Sequence, residues 1–389
     1  MAQKRANGEG SIRKRSDGRW EARYVSPRDG KQRSLYGKTQ KEVRQKLTQV
    51  MSEIDGGSYV DPTNMTVERW LQTWLADYCR ELKPTTLQYY RRNADGHIVP
   101  KIGSISITKL SKVHVQHFVN ELEDEGLAAA SINTIRMVLS SAMQKAVEMG
   151  LTKSNPCAGI RVKRQMAEKM NIVDRQMFAA FVEAANKTLH GDALIFTIMT
   201  GLRVGEMRGL RWEDIDFSTG KITVARQLAY ANRQYMMQSP KSGKERVFVL
   251  PVAAIDLLKK HRIAQHEDRM RCGENWIDDP LSHDLVFRRP DGGHYRVNTI
   301  SRAVKMAGEA VGIEDMSPHD LRHSFAVAAL RSGMDVKSVQ HTLGHASASM
   351  TMDIYAHYTE DMGRAAAEKM DAYWQDAIAV RVGLGSKTT

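Results

Sequence analysis

Cysteine is scarce in these 389 residues: Cys79, Cys157 and Cys272 stand far apart. They form neither CxxC pairs nor a disulfide ladder, which sets aside a stapled secreted fold and fits a reducing cytoplasm. Apolar runs long enough to cross a membrane are lacking, as is a signal-peptide pattern, so a cytoplasmic protein with no membrane partner is expected. Internal repeats and low-complexity stretches are also missing. His283 and His294 have no cysteine or carboxylate cluster around them, which argues against a metal site there. Acidic residues fall short of basic ones, 45 against 57, leaving a net charge of +12. That imbalance points to a polyanionic partner, nucleic acid first. Hydrophobic residues at 42% and charged residues at 26% exclude a disordered chain and allow two or three domains.

The positive charge is concentrated at one end. Residues 1–50 hold 14 Lys and Arg against 5 Asp and Glu. Between Gly10 and Gly37 short strand-like runs alternate with the turns SDGR and PRDGK, predicting a three-stranded antiparallel sheet. Thr39 then opens a capping box, TQKE, for one helix. Arg13, Arg15, Arg19, Arg23, Arg28 and Arg33, with Trp20, Tyr24 and Tyr36 among them, are candidate groove contacts. A solvated basic face around a minimal aromatic core would show the same pattern. GGSYVDPTN, residues 56–64, reads as a linker. Four amphipathic helices follow, with Trp70, Trp74 and Tyr78 on one face of the first, and are expected to form a bundle. Lys83, Arg91 and Arg92, together with Lys101 and Lys112, are candidate phosphate contacts there. Residues 161–171 read as a second linker. Beyond them helices enclose three strand-like runs, KITVARQL, RQYMMQS and RVFVLP, expected as one three-stranded antiparallel sheet. LVFRRPDGG reads as a further strand and turn.

Three stretches carry chemistry. In TGLRVGEMRGLRW, Arg203 lies in a glycine-bounded turn, and Glu206 can fold back to hold its guanidinium for two phosphate oxygens. In SPKSGKERVFVLP, Lys241 precedes a strand; a lysine delivered to a phosphate can protonate a leaving alkoxide, and Lys244 is the alternative. The segment from Ser317 to Tyr358 opens with Ser317, Pro318 and Asp320 as a helix start, which places His319, Arg322 and His323 on one face. Asp335 caps a second helix that stops at Gly344, leaving His345 just past its end. MTMDIYAHY is expected as a third helix, carrying Tyr355 and Tyr358.

Arg203, Lys241, His319, Arg322, His345 and Tyr355, in that order, resemble the active site of the tyrosine recombinases, the phage-integrase family. TGLRVGE, HDLRHSFA, LGHAS and IYAHY follow its pattern, over roughly residues 60–375. The basic N-terminal sheet further resembles the arm-binding domain of integrases from temperate phages and conjugative transposons. The resemblance implies an α+β multidomain fold. Residues 1–57 would form an arm-type DNA-binding domain, 64–160 a helical core-binding bundle, 170–378 a mainly helical catalytic domain with a small antiparallel sheet, and 379–389 a tail. It implies a site-specific recombinase that joins Tyr355 to a DNA 3′-phosphate, with Arg203, Arg322 and His345 on the phosphate. His319 would act beside Tyr355, Lys241 would be the general acid, and no metal or organic cofactor would be needed. Implied partners are duplex attachment sites with core and arm sequences, three further copies in a tetramer, an excisionase and a DNA-bending host protein. A type IB topoisomerase-like enzyme and an inactive architectural DNA binder are the alternatives.

Overall fold

The computed structural model describes residues 11–57, 59–61, 64–162, 170–344 and 370–371. His345, Tyr355, Tyr358 and the tail 379–389 lie outside the described residues. The chain divides into two compact units, Met1–Ala167 and Glu168–Thr389.

The first unit begins with the expected antiparallel sheet, β1 (Ser11–Lys14), β2 (Trp20–Val25) and β3 (Gln32–Gly37), in that order. Its pleat puts Ile12, Trp20, Ala22, Tyr24 and Leu35 on the face covered by α1 (Gln40–Asp55), which contributes Val43 and Leu47. Thr39 caps α1 by accepting from the Glu42 amide at 3.2 Å. Part of the expected linker belongs to this core. The Tyr59 ring meets Tyr24 edge-on, their hydroxyls lie 2.7 Å apart, and Asp61 accepts from both Tyr59 and Ser26.

A separate helical core in the same unit is built from α2 (Val67–Thr73), α3 (Pro84–Asn93), α4 (Val99–Ile102), α5 (Lys112–Asp124) and α6 (Ala129–Glu148). Trp70 anchors it, 2% exposed, with Nε1 donating to the Ala142 carbonyl at 2.8 Å. Wider π turns follow α2 and α3, at Trp74–Tyr78 and Ala94–Ile98. The first shifts the helical phase. Trp74 stays buried and stacks on Tyr90, whereas Tyr78 reaches only the rim of the core beside Trp70.

In the second unit, α7 (Phe178–Asn186) and α8 (Gly191–Thr200) precede a short α9 (Val204–Arg208). The strands are β4 (Ile215–Asp216), β5 (Lys221–Val224), β6 (Gln227–Ala231), β7 (Gln234–Gln238) and β8 (Arg246–Val249). They do not form the single sheet expected from the sequence. Asn232 and Arg233, both at positive φ, close a two-residue hairpin that pairs β6 with β7 alone, and β5 lies between β4 and β8. LVFRRPDGG contributes only isolated bridges, Arg211 to Leu285 and Arg288 to His294, because the Arg289–Gly293 turn folds it back at once. Helices α10 (Val252–Cys272), α11 (Val297–Glu309), α12 (Pro318–Arg331) and α13 (Val336–Leu343) complete the unit. Its main core surrounds α8, most of whose residues are buried. Among the described residues no helix is long and apolar enough to cross a membrane.

Replacing Trp70 by alanine empties the most deeply buried tryptophan site of the helical core and removes the second donor to the Ala142 carbonyl. A loss of about 3–5 kcal/mol is expected from that unit's urea unfolding, followed by circular dichroism; a loss below about 1 kcal/mol would show that the core closes around the gap.

Candidate active site

The site is assembled where α8, α9, α12, α13 and β8 meet. Gly201 ends α8 at φ 66°, and a Cβ there would overlap the Phe325 ring and lie 2.7 Å from Leu343. Glycine therefore lets the chain turn directly into Arg203, the N-cap of α9. Glu206, one turn on, accepts from the Arg203 backbone amide and from its Nη1, both at 3.0 Å. Arg203 also reaches the end of α13, its Nη2 donating to the Gly344 carbonyl at 3.2 Å and its Nη1 to the Leu343 carbonyl at 3.5 Å.

On α12, Ser317 donates its amide and its hydroxyl to Asp320, both at 2.7 Å, and Pro318 opens the helix as the sequence predicted. Arg322, 2% exposed, donates to the Gly201 carbonyl at 2.8 Å and the Leu343 carbonyl at 2.6 Å. It has no carboxylate partner among the described residues. Burial first, then the charge of Arg203, pushes its pKa down to about 9, so it stays protonated at neutral pH. His319, exposed and one turn before His323, meets that ring edge-on at 4.6 Å.

Sequence reasoning missed Arg246, the first residue of β8. Its Nη1 and Nη2 donate to the two oxygens of Glu206, at 3.0 and 2.7 Å, and its Nε donates to the Thr342 carbonyl at 2.8 Å. The only available signal was the alternation of RVFV, which puts Arg246 on the same face as Phe248. Burial would raise the Glu206 carboxyl, but Arg246 and then Arg203 outweigh it and hold the group below the usual carboxylate range. Two guanidinium groups thus share one carboxylate, and a third, Arg322, stands beside them with carbonyl partners only among the described residues. Three carbonyls at the C-terminal end of α13, where the helix dipole is negative, absorb part of the remaining charge.

Lys241 sits in the exposed turn 240–243, closed by the Gly243 amide on the Pro240 carbonyl at 2.9 Å; Lys244 is exposed beside it. The structure brings Arg203, Glu206 and Arg322 together and leaves the lysines on an open loop. Beside this loop a cleft of 590 Å³ is lined by Lys244, Arg246, Lys337, His341 and Gly344. Of the two histidines weighed as metal ligands, His283 pairs with Asp278 at 3.1 Å and His294 packs on Tyr235.

The N-terminal arginines divide into three groups. Arg13 and Arg23 share the open sheet face, and Glu21 holds both, at 2.6 and 3.2 Å. The Ser34 hydroxyl and then Arg13 pull the Glu21 pKa down to about 2. Arg15 and Arg19 flank the first turn and pair with Asp17. Arg33 lies on the helix-facing side, paired with Asp29 and Asp61. In the helical bundle, Arg91 and Arg92 are exposed in the last turn of α3 and Lys83 is half-buried at its start. Lys101 is drawn instead to Glu125.

Residues 171–362 match the family model described as "Phage integrase family", and residues 66–123 match "Phage integrase, N-terminal SAM-like domain". The chain belongs to the phage integrase family. It is a tyrosine recombinase of the integrase type, as the sequence motifs led one to expect. One relative is "Tyrosine recombinase XerC-like" of Caldanaerobacter subterraneus subsp. tengcongensis, 27% identical over 343 residues, which cover 84% of this chain and 88% of that protein. Among solved structures, the Tn1549 transposon integrase in complex with a circular intermediate DNA superposes with a TM-score of 0.67 at 21% identity. The match spans 79% of this chain and 99% of that one. A lambda integrase tetramer bound to a Holliday junction gives a TM-score of 0.57 at 20% identity over 90% of this chain and 96% of its own. These two likenesses are of fold.

The His319 pKa is pushed down from an ordinary 6.5 to about 4 by loss of water around the ring, then by the charges of His323, Arg322 and Arg203. Between those values the unfolded chain binds a proton that the folded chain refuses, so His319 makes the fold lose stability as pH falls from 6.5 towards 4. The thermal midpoint of His319→Gln should accordingly fall less than that of the wild type between neutral pH and that lower limit. Parallel falls would place the titration elsewhere.

Proposed function

We propose that this recombinase cuts and rejoins duplex DNA at attachment sites, integrating and excising a mobile element, and that the arginine cluster is its phosphate clamp. The observation that carries this reading is the charge count: Arg203 and Arg246 converge on a single carboxylate, Glu206, and Arg322 beside them is met only by carbonyls among the described residues. A scissile phosphate is an anion of the right size to complete such a cluster, and its non-bridging oxygens gain charge in the pentacoordinate transition state. Arg203 and Arg322 would neutralise that charge, with His345 donating a further hydrogen bond. Tyr355 would attack phosphorus, giving a 3′-phosphotyrosyl link and a free 5′-hydroxyl. His319 would accept the tyrosine proton or bind the phosphate, and Lys241, carried on its open loop, would protonate the leaving 5′-oxygen. Attack by the 5′-hydroxyl of a partner strand then reseals the backbone and releases Tyr355, so bond energy is conserved throughout.

In this reading the chain works as four parts: an arm-binding domain over 1–57, a core-binding bundle over 64–160, a catalytic domain over 170–378 and an assembly tail over 379–389. Arg13, Arg15, Arg19, Arg23 and Arg33 would contact arm DNA, and Lys83, Arg91 and Arg92 the core-site backbone. Four copies would act together on two duplexes in the cytoplasm of a bacterial host, with an excisionase and a DNA-bending protein setting direction.

Tyr355→Phe should bind DNA normally yet form no covalent adduct, because only the nucleophilic oxygen is removed. Sequencing the DNA that stays attached to the wild-type protein after denaturation maps the core site. Adducts formed by Tyr355→Phe but not by Tyr358→Phe would transfer the nucleophile to Tyr358.

Deleting residues 1–57 should leave cleavage of that core site intact, weaken binding to full attachment sites and flatten its salt dependence, since two linked contacts become one. Unchanged recombination of full sites by the truncated protein would show that the N-terminal sheet reads no arm DNA.

A further inference from the structure

We infer that Arg246 is a positioning residue for the phosphate clamp, acting on Arg203 through Glu206 and on the end of α13 through Thr342. The inference rests on the proposed role of Arg203. Arg203 is the only one of the three guanidiniums that combines a carboxylate partner with partial exposure; its side chain is 19% exposed, whereas Arg246 is 5% exposed. Arg203 can therefore meet a substrate, but its orientation depends on Glu206, and Glu206 cannot orient anything unless it is itself fixed. Arg246 fixes it. Two parallel N–H···O bonds at 3.0 and 2.7 Å form the fork geometry that sets both the position and the plane of a carboxylate.

The third bond of Arg246, to the Thr342 carbonyl at 2.8 Å, extends the same constraint to α13. Leu343 and Gly344, the next two residues, supply carbonyls to Arg322 and Arg203. Gly344 lies at φ 63°, and a Cβ there would stand only 3.1 Å from Arg246 Nη1, so the helix end and the guanidinium are fitted closely. A single side chain is thereby bonded to both structures that aim Arg203: the acid in front of it and the carbonyl row behind it. Arg246 also starts β8 directly after the turn that carries Lys241, so the strand end holding the clamp is the strand end from which the proposed acid projects. A lysine at position 246 would keep the charge that neutralises Glu206 but lacks the planar fork that meets both Glu206 oxygens while a third N–H reaches Thr342.

The test uses the full-length protein and a nicked duplex carrying the core site mapped through the covalent adduct. Arg246→Met, Arg246→Lys and Arg203→Ala are compared by thermal midpoint, DNA affinity and single-turnover adduct formation. A second duplex carries a methylphosphonate in place of the scissile phosphate, which removes one negative oxygen. Arg246→Lys should keep the fold and DNA affinity but form adduct about 100-fold more slowly, as for a misplaced catalytic group. That deficit should shrink on the methylphosphonate duplex, as should that of Arg203→Ala, because less charge remains for Arg203 to neutralise. Arg246→Met should behave alike with a lower thermal midpoint. Wild-type rates in both Arg246 variants, or the same loss on both duplexes, would overturn the inference while leaving the clamp standing. A wild-type rate in Arg203→Ala would instead overturn the clamp itself.

Discussion

One buried carboxylate organises the second unit. Glu206 lies between two guanidinium groups, one from the turn after α8 and one from β8, and both of those groups reach on to the end of α13. Burying a carboxylate costs several kcal/mol unless it is paired and hydrogen-bonded, and here its oxygens accept from Arg203, from Arg246 and from a backbone amide. Removing either arginine would leave the acid partly unanswered. Removing the acid would leave three cations facing one helix end. The cluster is stable only as a whole, which suits a site whose parts come from four separate stretches of chain.

The α13 terminus completes this balance. An α-helix leaves its last carbonyls without intrahelical donors, and the usual remedy is a glycine in the left-handed conformation. Gly344 supplies that conformation, but the carbonyls of Thr342, Leu343 and Gly344 are also met by Arg246, Arg322 and Arg203 respectively. The same dipoles that cap a helix thus hold three cations that lack enough carboxylates.

The contacts of this cluster were unevenly legible in the sequence. Local chemistry was readable: the Ser317–Pro318–Asp320 helix start, the Thr39 cap, the Glu206 return to Arg203 and the Gly344 stop all appear where spacing put them. Contacts between distant segments were not. Nothing near Arg246 in the chain names Glu206, forty residues away, as its partner, and an arginine at a strand end reads as a surface residue. The sheet of the second unit failed for a related reason. Three strand-like runs in succession suggest a meander, but two positive-φ residues at 232 and 233 make one tight hairpin and leave β5 to find β4 and β8. Pairing partners depend on turn geometry that residue type alone, here Asn-Arg, does not announce.

Counting charges likewise overstated what the N-terminal domain has free. Its basic surplus is real, yet Arg13, Arg15, Arg19, Arg23 and Arg33 each touch a carboxylate. Pairs whose arginine stays in contact with water contribute little to stability, so their main physical effect is on direction. Glu21 fixes two arginines on the open face of a sheet whose other face is closed by α1. The second unit uses the same device: an acid buried beneath cations spends negative charge to gain a defined orientation. Glu21 and Glu206 each offset one charge while holding two arginines, so each group keeps a net positive charge with its donors already oriented.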